Sequence, residues 1–140
     1  MKRQLLTSLA ALALLMVAGS AFGQTINLRA NVPFDFIMSN QTLPSGEYAI
    51  RYDVKGTILS VQSLDSGNTT LVMVSNSVGN SLQPAERSKL VFHHYGNVYF
   101  LREICQAGYG KEYQLHKTSR EAELERIHSS NDAIVVASRR

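Results

Sequence analysis

The stretch Ile26-Asn27-Leu28-Arg29-Ala30-Asn31-Val32-Pro33-Phe34-Asp35-Phe36-Ile37-Met38 decides the fold class. Ile26, Leu28, Ala30, Val32, Phe34, Phe36 and Met38 are all apolar. Asn27, Arg29, Asn31, Pro33 and Asp35 between them are not large hydrophobes. A period of two means an extended chain with one buried face and one wet face. Pro33 lacks an N–H donor, so it belongs at an edge or a bend between two strands.

The same pattern repeats downstream. Leu43-Pro44-Ser45-Gly46 reads as a turn, because Pro sets its own φ and Gly tolerates positive φ. Tyr48, Ile50, Tyr52 and Val54 then alternate with Glu47, Arg51 and Asp53. Lys55-Gly56 turns the chain into a strand over 57–63. Asp65-Ser66-Gly67-Asn68 turns it again into a β-branched run over 69–75. Residues 76–87 read as a polar loop. Runs at 90–95 and 98–105 flank Gly96-Asn97, which fits a type II′ hairpin. That register sets His94 against Tyr99 and Phe92 against Leu101. Gly108-Tyr109-Gly110 leads to a short strand at 112–115.

The pattern changes at Thr118-Ser119-Arg120-Glu121, a capping box opening a short helix to about Ile127. Ala122, Leu124 and Ile127 give it a thin apolar side. Glu121, Glu123 and Glu125, interleaved with Arg120 and Arg126, read as its solvated face. A final apolar strand covers 133–137. The expected fold is all-β: an antiparallel β-sandwich or small barrel of about eight strands, with one short C-terminal helix.

Residues 1–23 read as an export signal. Lys2 and Arg3 precede an apolar run from Leu5 to Ala18, then small residues ending in Ala21-Phe22-Gly23. The expected cleavage follows Gly23, with Ala21 as the alternative. The run is shorter than the roughly 20 residues of a bilayer span. The single cysteine, Cys105, rules out an intrachain disulfide and lies far from the cleavage site where a lipoprotein needs one. Residues 24–140 are expected to form one β domain, periplasmic or secreted, with no membrane span after signal cleavage.

The whole chain of 140 residues has 14 Lys and Arg against 11 Asp and Glu, net +3. Removing Lys2 and Arg3 with the leader takes the 14 basic residues to 12 and leaves all 11 acids. With no basic cluster on any one strand face, a nucleic-acid partner is not expected.

No motif announces chemistry. His93 and His94 are neighbours on a strand and point to opposite faces, so they cannot grip one metal together. His116 and His128 stand apart, and no metal or other cofactor is expected. No G-x-S-x-G elbow occurs. Gly108-Tyr109-Gly110-Lys111 lacks the spacing of a phosphate loop. Cys105 reads as a small buried hydrophobe. The candidate ligand-binding constellation is His94 with Tyr99 opposite it and a carboxylate such as Glu103. No catalytic residue is assigned.

Ile26 to Phe36, Leu43-Pro44-Ser45-Gly46-Glu47-Tyr48 and Ser88-Lys89-Leu90-Val91-Phe92-His93, with Tyr95-Gly96 and Tyr99-Phe100-Leu101, carry a resemblance. The chain resembles a group of small exported all-β proteins of environmental bacteria. The resemblance implies export and an all-β fold, and it carries over no catalytic or binding residue.

The expected function is an exported, non-enzymatic envelope or secreted module that binds an envelope protein or a small ligand. One alternative is a carrier with an apolar void lined by Phe34, Phe36, Tyr48 and Phe92. The other is a small periplasmic hydrolase or metal-dependent enzyme.

Overall fold

The computed structural model describes residues 27–53, 57–78, 86–108 and 112–139. The expected export signal, the 55–56 turn, the core of the 76–87 loop and Tyr109 to Lys111 lie outside the described residues. Eleven short strands and one helix are seen among the described residues. The strands are β1 (Asn27–Val32), β2 (Phe36–Met38), β3 (Gln41–Leu43), β4 (Gly46–Tyr52), β5 (Ile58–Ser63) and β6 (Thr69–Val78). They continue as β7 (Lys89–Tyr95), β8 (Val98–Cys105), β9 (Glu112–Leu115), β10 (Asn131–Val136) and β11 (Ser138–Arg139). The helix α1 spans Ser119–Ile127.

The opening stretch splits at Pro33 as expected. Leu28, Ala30 and Val32 are buried on β1. Beyond the bend the alternation stops: Phe36, Ile37 and Met38 are all buried. The reason is a second covering layer. Phe36 and Met38 join the main core, while Ile37 faces a small cluster with Tyr95, Phe100 and Leu124 under α1.

The hairpin β2–β3 was not legible as such. Its turn is Ser39-Asn40, with φ of 51° and 67°. Two central residues at positive φ match a type I′ turn, which matches strand twist but strains a residue carrying a Cβ. The double change Ser39→Asn with Asn40→Gly should therefore raise stability by about 1 kcal/mol. Urea denaturation would show it as a higher midpoint with an unchanged slope.

Leu43 to Tyr48 has a structural explanation. The Tyr48 hydroxyl donates to the Pro44 carbonyl four residues upstream, pinning the turn to the strand. Ser45 N–H donates to Asp35 Oδ1 at 2.8 Å, and Glu47 N–H to Asp65 Oδ2 at 3.3 Å. Gly46 carries φ of 153°, a conformation that L side chains rarely adopt, and a Cβ there would also meet Asp65 Oδ2.

The ladder runs β10-β7-β8-β9-β6-β5-β4-β1-β11. β10 and β11 at its two ends belong to one C-terminal run broken only at Ala137, so the strand path closes on itself. Ala137 is buried, and its N–H donates to the Ser88 carbonyl at 2.8 Å. At the opposite corner β6 passes from β5 to β9 through a register shift between Val74 and Asn76. Strands that switch sheets at such irregularities make the corners of a sandwich. The polar Asn76 to Val78, expected in a loop, stay in β6 because their backbone pairs with β9. Among the described residues all pairings are antiparallel except β2 with β8.

Aromatic rings meet in the core of the described residues. Phe34 meets Phe92 edge-on at 5.0 Å, Phe36 meets Tyr48 at 5.2 Å, and Phe36 meets Phe92 at 5.3 Å. These are ordinary aromatic packing distances. The four side chains expected around a void pack against one another instead.

Candidate functional site

His94 and Tyr99 do face each other across β7 and β8, with rings stacked 5.1 Å apart. Tyr99 also stacks on Phe34 at 3.9 Å. Glu103 does not join them. The ladder pairs Phe92 with Leu101 but Val91 with Glu103, so Arg102 is an extra residue on β8. An inserted residue reverses the alternation beyond it. Glu103 therefore shares the outer face with Val91, opposite His94, and accepts from Gln114 Nε2 at 3.4 Å. The expected His94–Tyr99–Glu103 constellation is not assembled.

Cys105 is buried, and burial pushes its thiol up, with Glu112 adding to the effect. Such a thiol is a poor nucleophile. Among the described residues no group of three or more His, Cys, Asp and Glu could hold a metal ion.

A different cluster lies on the outer face. Arg102 alternates with Phe100 and so points outward, towards α1. Thr118 caps α1 as the sequence indicates, its hydroxyl accepting from Glu121 N–H at 3.2 Å. The Glu121 side chain does not lie on a solvated face. It is only 1% exposed and is the one fully buried residue of α1. Its Oε2 lies 3.5 Å from Arg102 Nη1, and its Oε1 lies 3.7 Å from His93 Nδ1. His93 Nε2 is in turn 3.5 Å from Asp132 Oδ1 on β10. Burial is the largest influence on Glu121 and raises its pKa; Arg102, His93 and Lys117 oppose it, and Glu125 reinforces it. The solvated-face expectation holds for Glu123 and Glu125 and fails for Glu121, whose carboxylate meets Arg102 on the outer face of β8.

Glu121 also borders a cleft of about 300 Å³. The cleft follows from the strand pairing. One edge of β8 pairs with β2 at Tyr99 and Phe100, then with β9 from Glu103 onward. The end of β9 and the tip of the β2–β3 hairpin meet there without forming a ladder. Across the seam Thr70 Oγ1 donates to Gln41 Oε1 at 3.1 Å. Ile37, Phe100, Leu115, Leu71 and Met73 give the cleft apolar walls, and Glu121 gives it a carboxyl. Leu71 and Met73 are each 65% exposed, and Met73 pairs with the half-exposed Ile58. His116, noted in the sequence as standing alone, is exposed at the rim. An apolar pocket with a buried, pKa-shifted acid is the arrangement expected of a binding or catalytic site.

The sequence carried two signals for this site. The capping box places Glu121 in the first turn of α1, and Arg102 with Glu103 interrupts the apolar run from Tyr99 to Ile104. Nothing local links residues 19 positions apart. No family model, no curated protein and no solved structure matches the chain.

Proposed function

We propose that this chain is an exported, non-enzymatic β module that binds its partner or ligand by taking a short apolar group into the cleft beside α1. The observation that carries the reading is the cleft itself, an apolar recess with Leu71 and Met73 standing exposed at its lip and Glu121 buried in its wall. Exposed apolar side chains gathered at a concave site mark binding surfaces more often than isolated ones do. The packing of Phe34, Phe36, Tyr48 and Phe92 on one another favours this surface site over a carrier's internal void. Export is supported by the leader of Lys2, Arg3 and the Leu5 to Ala18 run. Near-balanced charge after its removal speaks against nucleic acid. Among the described residues no helix is long and apolar enough to cross a membrane.

The test is titration of the exported protein with a neutral apolar fluorophore, N-phenyl-1-naphthylamine. Saturable binding is expected, weakened tenfold or more by Leu71→Asp. Leu71 is exposed, so this change should leave stability within about 0.5 kcal/mol. Absence of saturable binding, or binding indifferent to Leu71→Asp, would refute the reading.

A second reading draws on the same buried carboxyl: an acid–base enzyme in which Glu121 handles the proton. It requires a turnover that Glu121→Gln removes while probe binding persists.

A further inference from the structure

We propose that Glu121, Arg102 and His93 form a proton-operated latch: α1 lies shut on β7 and β8 when Glu121 carries a proton and lifts when Glu121 is ionised, widening the cleft. The proposal rests on the cleft reading above for its consequence, the control of access, and on the geometry of α1 for its mechanism.

The apolar grip of α1 is thin. Leu124 is the side chain it adds to the Ile37, Tyr95 and Phe100 cluster, and it is only partly buried. Ile127 is 67% exposed. The seat of the helix therefore depends on Glu121, its one fully buried residue.

That seat is polar and poorly satisfied. The Glu121 contacts of 3.5 and 3.7 Å exceed the ~2.7–2.9 Å of a charge-assisted hydrogen bond. Glu121 Oε1, His93 Nδ1, Tyr95 Oη, and Arg102 Nε and Nη1 are all buried without a hydrogen-bond partner. An ionised carboxylate held this way has lost its water without full replacement. Lifting α1 rehydrates it. A protonated carboxyl bears a much smaller penalty and stays shut.

The surrounding groups do not reverse that direction. Arg102 from β8, His93 from β7 and Lys117 beside α1 favour the ionised form. Burial and Glu125 favour the neutral form, and the pKa of Glu121 ends above the ordinary carboxylate value. Tyr95 from β7 faces the same pocket, and Asp132 from β10 reaches it through His93. Lys117 is itself held by Glu125 at 2.6 Å, which draws its charge to the outer side of the helix. A group with a raised pKa in the shut state binds its proton more tightly there than in the open state. Acid therefore closes the latch, and rising pH opens it.

The test is amide hydrogen exchange of the exported protein without ligand, followed from pH 4.5 to 8 and corrected for intrinsic rates. Protection of the α1 amides should fall with rising pH, by up to tenfold per unit between the open-state and shut-state pKa values, and then level off. Amides of β4 should not follow that curve. Glu121→Gln, which mimics the protonated acid, should keep α1 shut with no such slope. A flat profile in the unmodified protein, or the same slope in Glu121→Gln, overturns the latch. If Glu121→Gln fails to fold, the ¹³C carboxyl titration of Glu121 in the unmodified protein decides: a midpoint at the ordinary value of about 4.3 overturns it. No ligand enters these measurements, so failure of the latch and failure of the cleft are told apart.

Discussion

Phe92→Ala should cost about 3–5 kcal/mol of folding stability, the largest loss expected from a single truncation here. Phe92 is fully buried on β7, which lies between β8 and β10. Its ring touches Phe34 and Phe36, and Phe36 in turn packs on Tyr48. Phe36 is fixed on β2 and Phe34, in the bend before it, is stacked on Tyr99, so they cannot collapse into the space left behind. Small domains hold only about 5–15 kcal/mol in total, so the variant should be near the edge of folding at 37 °C. Urea denaturation measures the loss directly. It also separates two pictures of the interior. A ring lining an open ligand void would have few packing contacts to lose, and a loss under about 1.5 kcal/mol would point to that void.

The second large effect is electrostatic. Arg102→Met should destabilise the α1-shut protein by about 3 kcal/mol at pH 7.5, because removing one partner leaves the ionised Glu121 of that state buried and unpaired. The sign of its pH dependence follows from which state pays. Only ionised Glu121 needs the guanidinium, and without it the folded protein holds the Glu121 proton still more tightly. Lowering the pH to 5 should therefore recover a large part of the loss. Adding Glu121→Met to Arg102→Met removes the stranded carboxylate and should restore most of the stability, since an apolar pair of similar volume often replaces a buried ion pair at little cost. Urea curves for both variants at the two pH values check this. Equal losses at both pH values, or a double variant as weak as the single, would show that Arg102 contributes packing alone.

Much of the fold could be read locally. Alternation marked β1 and β4, Gly96-Asn97 set the β7–β8 register, and Thr118 with Glu121 marked the start of α1. Gly96 indeed carries φ of 61° while Asn97 stays out of the positive region, as a type II′ turn requires. Other features were not legible. Ser39-Asn40 makes a turn usually built from Asn-Gly, so β2 and β3 passed for strand and loop. The bulge at Arg102 was invisible, because counting by twos along β8 assigns Glu103 to the face of Tyr99. One inserted residue sent it to the other side, and the expected site with His94 went with it.

What the sequence alone determined are the properties set by a few neighbouring residues: period-two strands, turn chemistry and a helix cap. What only the tertiary structure decided is which charge goes inside. Glu121, Glu123 and Glu125 look alike in a run of alternating charge, and helical spacing does not choose among them. The choice falls to Arg102, 19 residues away, brought under α1 by its place beside Phe100 on the outer face of β8. Burying a carboxylate is costly unless a partner meets it, so its position is a property of the assembled pair and not of either residue.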